Sequence, residues 1–201
     1  MSSATTTLPL GRPRDLTRDA VILQAALDVL AETGYEAMTV EMVATRAKAG
    51  KATLYRRWPS KAHLVVAAVA SLSHSNVTLS DVPDTGSLRG DLLALKHASD
   101  TTSVTLKMQI LGGLVASVQG DPQLGDIVKE ELIRPRSEIM RGLLVRAVER
   151  GEIDPDRDLD SLALLMPAVT FYRCVVLNEP VTLESQQRLV EEILLPAAGV
   201  R

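Results

Sequence analysis

The chain has 201 residues, enough for one sizeable core or two small ones, and its single cysteine, Cys174, excludes an internal disulfide. Only five residues are aromatic, so Leu, Ala and Val must fill the core; they recur at helical three-and-four spacing, while period-two strand runs are nearly absent. The expected fold class is therefore all-α, and the formal net charge of −3 excludes a uniformly basic polyanion binder.

Residues 1–14, rich in Ser and Thr and carrying Arg12 and Arg14, read as a flexible basic arm. The first helix follows, with Thr17 as N-cap, Leu23, Leu27 and Leu30 on one face, and Gly34 as its C-terminal stop. Thr39 caps a short second helix whose Val40, Val43, Ala44 and Ala47 point inward, and Lys48-Ala49-Gly50 turn the chain into a third helix starting near Lys51. Pro59 stops that helix, and Ser60 caps a fourth, from 60 to about 75. Two short helices joined by a tight turn and braced by longer neighbours form a helix-turn-helix pattern over 15–61.

A loop is expected over 76–87, then helices near 88–99, 103–119, 122–150 with a kink at Pro135, 159–177 and 183–195. Asp121 and Thr182 are the expected N-caps of this region, and Gly151 and Asn178 its expected left-handed stops. Residues 62–201 thus form a larger helical domain, linked to the first part by the fourth helix.

Charge divides along the same line. Residues 1–61 hold nine Lys or Arg against six acids, whereas the remaining 140 hold thirteen against nineteen. Local rather than net charge governs contact with a polyanion, so only the first part is suited to meet one. Its densest stretch is KATLYRRWPSK, residues 51–61. At the start of a recognition helix, Lys51, Ala52 and Thr53 have the chemistry to meet base edges, while Tyr55, Arg56, Arg57 and Lys61 suit phosphates. Arg12 and Arg14 suit a narrow minor groove. Trp58 is read as an apolar brace.

The run TVEMVATRAKAGKATLYRRWPSKAHLV, residues 39–65, resembles the DNA-binding region of the TetR family of bacterial transcriptional regulators, through Thr53, Leu54, Tyr55, Trp58 and Lys61. The resemblance covers roughly residues 11–70. It implies a homodimeric repressor on a palindromic double-stranded DNA operator, released by a small-molecule effector, with Arg12, Arg14, Thr39, Lys51, Ala52, Thr53, Tyr55, Arg56, Arg57 and Lys61 at the DNA. An activator, a ligand-independent regulator, or a helical scaffold or enzyme are the alternatives. Two positions depart from the family pattern: Lys48 stands where Gly is usual, and Gly50 where a Ser cap is usual. A left-handed Lys48 costs about 1 kcal/mol, and the resulting strain leaves the start of the recognition helix open.

Dimer contacts are expected from Leu162, Leu165, Met166, Val169, Val176, Val190, Ile193 and Leu194, on two helices that pair across a two-fold axis. Arg173, amid apolar residues, calls for a carboxylate within that dimer. An effector pocket is expected from Met108, Leu111, Leu114, Met140, Leu143, Phe171 and Tyr172, with Gly112-Gly113 thinning a wall. Asp154, Asp156, Asp158 and Asp160 read as a solvated linker. His63, His74, His97 and Cys174 lack metal-ligand spacing, and no nucleophile triad or phosphate-cradling glycine loop is present, so neither metal, cofactor nor enzymatic activity is expected. The longest uncharged apolar run, LVVAAVASL at 64–72, is too short to span a bilayer and no secretory leader is recognisable, which together suggest the cytoplasm.

Overall fold

A computed structural model describes residues 16–72, 78–97 and 101–200. The basic arm with Arg12 and Arg14, His74, and the expected ends of the fourth and fifth helices lie outside them. The fold is all-helical: α1 Leu16–Ala37, α2 Val40–Arg46, α3 Lys51–Arg57 and α4 Lys61–Ser71, then α5 Leu88–His97, α6 Thr101–Gly120, α7 Pro122–Val128, α8 Arg134–Glu149, α9 Leu159–Val175, α10 Leu183–Arg188 and α11 Leu195–Ala198. No described helix is long and apolar enough to cross a membrane.

Helix ends follow local chemistry. Thr39, Ser60, Asp121 and Thr182 each accept a hydrogen bond from a backbone N–H three residues on. α1 already begins at Leu16, so Thr17 lies inside its first turn. Gly34 interrupts that helix at φ 72°, and Asn178 and Gly151 also take left-handed conformations. Pro135 does not kink a single α-helix. Proline lacks an N–H and crowds the preceding turn, and here the strain is relieved by a π-turn, Lys129–Ile133, between α7 and α8. Pro196 has the same device before it, the π-turn Leu189–Leu194.

Two apolar clusters result. The first joins Ile22, Val43, Leu54 and Val65 of α1–α4 to Leu114 of α6, Leu124, Ile127 and Val128 of α7, and Leu132. The second joins α5, α8, α9 and the C-terminal helices through Leu88, Leu143, Leu144, Leu162, Met166, Val190 and Leu194. Residue 61 therefore separates two sequence regions without dividing the core.

This arrangement corrects several expected dimer residues. Leu162, Met166, Val190 and Leu194 are buried within the chain, and Leu165 and Val169 pack against the same cluster. α9 instead turns Leu164, Ala168, Tyr172 and Val176 outward, at four-residue spacing; Leu164, Tyr172 and Val176 are each more than half exposed. Ile193 is also exposed. Periodicity marks two apolar stripes on this helix without telling which one faces its own chain. Arg173 finds its carboxylate inside the chain, donating to Glu179 at 2.9 Å. Two acids of the supposed linker also have partners: Asp158 caps α9 through Ser161, and Asp160 pairs with Arg141 at 2.8 Å.

The loop between α4 and α5 is fastened to α8. Arg146 donates to the carbonyls of Leu79 and Val82, and Arg150 pairs with Asp84, Asp91 and Glu152. Asp91 is wholly buried and also accepts from the backbone and hydroxyl of Thr85. Burial alone would raise its pKa; the Thr85 donors and the Arg150 guanidinium outweigh burial and hold it below the usual carboxylate value.

Candidate nucleic-acid interface

α2 and α3 form the helix-turn-helix. α2 closes with two hydrogen bonds: Ala49 N–H donates to the Ala44 carbonyl at 2.9 Å, and Lys48 N–H to that of Thr45 at 3.2 Å. This double closure places the intervening residue in the left-handed region, and Lys48 is there, at φ 49°. The same closure ends α8, where the residue is Gly151. Arg18 of α1 donates to the Lys48 carbonyl and holds the turn from the other side. Gly50 then serves as N-cap without a side-chain bond, and α3 begins at Lys51. The start of the recognition helix is thereby fixed despite both departures from the family pattern.

Within α3, Leu54 is buried, and Trp58 at its C-cap packs on the same cluster. Lys51, Ala52, Tyr55 and Arg56 are exposed and Thr53 is half-exposed, as is expected of a helix anchored along one side. Thr39 is exposed at the N-terminus of α2, its hydroxyl accepting from Met42 N–H at 3.2 Å.

Three cations have partners that periodicity could not reveal. Lys51 pairs with Glu41 of α2 and lies 5.7 Å from the centre of the Tyr55 ring. Arg57 turns inward to Asp19 of α1, with both side chains mostly buried. Lys61 donates to the Tyr35 carbonyl at 2.9 Å and sits 4.2 Å from the centre of the Tyr35 ring, bracing the end of α1. Burial, chiefly, and then the charges of Asp121 and Glu36 push the Tyr35 hydroxyl up to about 12.

Comparisons with known proteins agree with this geometry. Residues 22–68 match the family described as bacterial regulatory proteins, tetR family, and residues 82–193 match the tetracyclin repressor-like C-terminal domain. The chain belongs to the TetR family. An uncharacterized HTH-type transcriptional regulator of Mycobacterium tuberculosis is 35% identical over 181 residues, spanning 90% of this chain and 87% of that one. The DNA-binding transcriptional repressor TetR of Mycobacteroides abscessus is 34% identical over 182 residues, 90% of this chain and 94% of its own. A crystal structure of a TetR family transcription regulator superposes with a TM-score of 0.62 at 30% identity, covering 88% of this chain and 96% of the other. This TetR-family protein is a non-enzymatic DNA-binding transcriptional regulator.

The expected pocket residues are dispersed. Leu111 and Leu114 pack in the first cluster, Met140 and Leu143 in the second; Met108 and Phe171 are half-buried, and Tyr172 is exposed on the outer face of α9. Gly112 has a different use from thinning a wall: a Cβ there would lie 2.7 Å from the Val175 side chain, so the glycine lets α6 and α9 approach closely. A cavity of about 50 Å³ lies beside Thr170, Arg173, Cys174 and Val181, room for water rather than an effector. Cys174 is buried, which raises its thiol pKa and keeps it protonated.

Proposed function

We propose that the protein is a homodimeric repressor that binds a palindromic operator and is released by a small-molecule effector. The exposed α3 face carries this reading: Lys51, Ala52, Thr53, Tyr55 and Arg56 stand on a helix whose other side is anchored by Leu54. In this reading Lys51 to Thr53 meet base edges in the major groove, Thr39, Tyr55 and Arg56 meet phosphates, and Arg12 and Arg14 follow the adjacent minor groove. Arg57 is a positioning residue, committed to Asp19. Lys61 braces Tyr35 and has donor capacity left for a phosphate, since an ammonium carries three N–H groups.

The outward stripe Leu164, Ala168, Tyr172 and Val176 supports dimerisation through α9. Pairing across a two-fold axis buries it and supplies the fixed half-site separation of about 34–36 Å that two recognition helices need. The arm, the helix-turn-helix region and residues 62–201 then serve as groove-follower, reader and spacer. The repressor name of the Mycobacteroides relative favours repression over activation.

Selection of bound sequences from random duplex DNA, followed by a salt titration on the winner, tests the reading. A palindromic motif bound with a steep inverse salt dependence is expected. Equal, weak binding to selected and random sequences would overturn it.

A further inference from the structure

One acid stands at the start of the reading helix. α3, KATLYRR, contains none of its own, but Glu41, in the first turn of α2, reaches across the intervening turn and accepts a hydrogen bond from the Lys51 ammonium. Both side chains are about half exposed, so burial does not force them together. The same ammonium lies 5.7 Å from the centre of the Tyr55 ring, one turn further along α3. Two attachments on two helices thus fix the end of a flexible four-carbon stem.

The neighbouring cations are disposed differently. Arg57 turns inward to Asp19, and Arg46 of α2 is taken by Glu32. Arg56 is exposed and makes no ion pair among the described residues. Of the two cations exposed on α3, Arg56 is therefore able to follow a phosphate while Lys51 is held in place. A held ammonium loses little at a base edge and more at the backbone. Phosphates line every sequence alike, and a mobile lysine gains by reaching the nearest one. Guanine presents N7 and O6 side by side, so an ammonium with three N–H groups can donate to both and keep its third on Glu41. If Lys51 left for a phosphate, the Glu41 carboxylate would be stranded beside the like charge of the backbone.

We infer that Glu41 is a specificity-determining residue: it confines Lys51 to a guanine in each half-site and denies it to the phosphates. The inference rests on the operator reading above and adds the pair of residues that sets one base of the operator. Removing the carboxylate should tighten binding to any DNA, and most of all where the sequence is wrong. Affinity and selectivity then move in opposite directions, by up to about fivefold, the range of an exposed ion pair.

The test uses the full chain as wild type, E41Q, K51M and the double variant. Each is put through selection from random duplex DNA and an anisotropy titration on the selected operator and on a random duplex. The wild type should select guanine at one position of each half-site. E41Q should bind the random duplex about fivefold more tightly and the operator by a smaller factor, with a steeper salt slope on the random duplex and a weaker guanine preference. K51M should lose that preference without gaining affinity for the random duplex. Adding E41Q to K51M should then change random-duplex binding by no more than about twofold, because Glu41 acts through Lys51. An equal gain in both backgrounds would assign the effect to net charge and overturn the inference. An unchanged guanine preference in E41Q would also overturn it, and lower melting alongside would make Glu41 a helix-stabilising acid of α2. A wild type that binds all sequences equally and weakly defeats the operator reading and this inference together. A selected palindrome whose bases do not depend on Lys51 defeats this inference alone.

Discussion

Lys48→Gly isolates the cost of the turn that aims the recognition helix. The Ala49 and Lys48 hydrogen bonds that close α2 hold residue 48 at φ 49°, where a side chain meets its own backbone at a cost of about 1 kcal/mol. The Lys48 side chain is exposed, so the substitution removes no packing, and the carbonyl that receives Arg18 remains. Glycine also gains freedom in the unfolded chain, which offsets part of the benefit and leaves about 0.5 kcal/mol net. For a protein of this size that corresponds to a rise of roughly 1–2 °C in melting temperature, measurable by calorimetry on matched samples. Lys48→Ala is the control: it removes the same charge but retains the left-handed penalty, and its melting temperature should stay within about 1 °C of the wild type. Operator affinity should hold in both variants, since Gly50 and not Lys48 starts α3. A lower melting temperature for K48G, or an equal rise for K48A, would refute the reasoning and assign the effect to charge.

Three further outcomes follow. Glu41→Gln removes the carboxylate that occupies Lys51; operator binding should tighten by up to about fivefold, the most that an exposed ion pair withholds, with a steeper salt slope in the same anisotropy titration. Asp91→Asn removes a buried partner of Arg150 and should cost about 3 kcal/mol in denaturant unfolding. Because the folded pKa of Asp91 is depressed, its stabilisation is complete above the unfolded carboxylate value of about 3.9 and is lost as pH falls through the folded value, so the variant should show a flatter acid limb. Leu164→Glu and Tyr172→Glu place charge on the outward stripe of α9 and should yield monomers by light scattering, with operator affinity falling as half-sites uncouple; a dimer that survives both would move the interface elsewhere.

Much of the fold was legible because it is written in local chemistry. Thr39, Ser60, Asp121 and Thr182 announce helix starts, and Gly34, Gly151 and Asn178 announce stops, through interactions that span only a few residues. The left-handed Lys48 was legible only through the resemblance, because Lys48 stands where the family usually has Gly. What the sequence could not disclose was direction across long separations. α9 has apolar residues on both flanks, so the stripe led by Leu162 and the one led by Leu164 look alike until the C-terminal helices cover the first. The cations of the recognition region read as free because their partners are distant: Arg57 meets Asp19, Lys61 meets the end of α1, and Lys51 meets Glu41 across the turn.

The first apolar cluster bears on how such regulators could be recombined. Leu114, Leu124, Ile127, Val128 and Leu132 pack with the side chains that stabilise α1–α4, so a graft of residues 1–70 onto another body would leave a greasy wall facing a foreign surface. A transplant that changes operator choice while remaining folded has to carry those five positions along with the reading helix. Inheritance of the head is therefore tied to one flank of the body, and the two should vary together between relatives more closely than either varies with the outward face of α9.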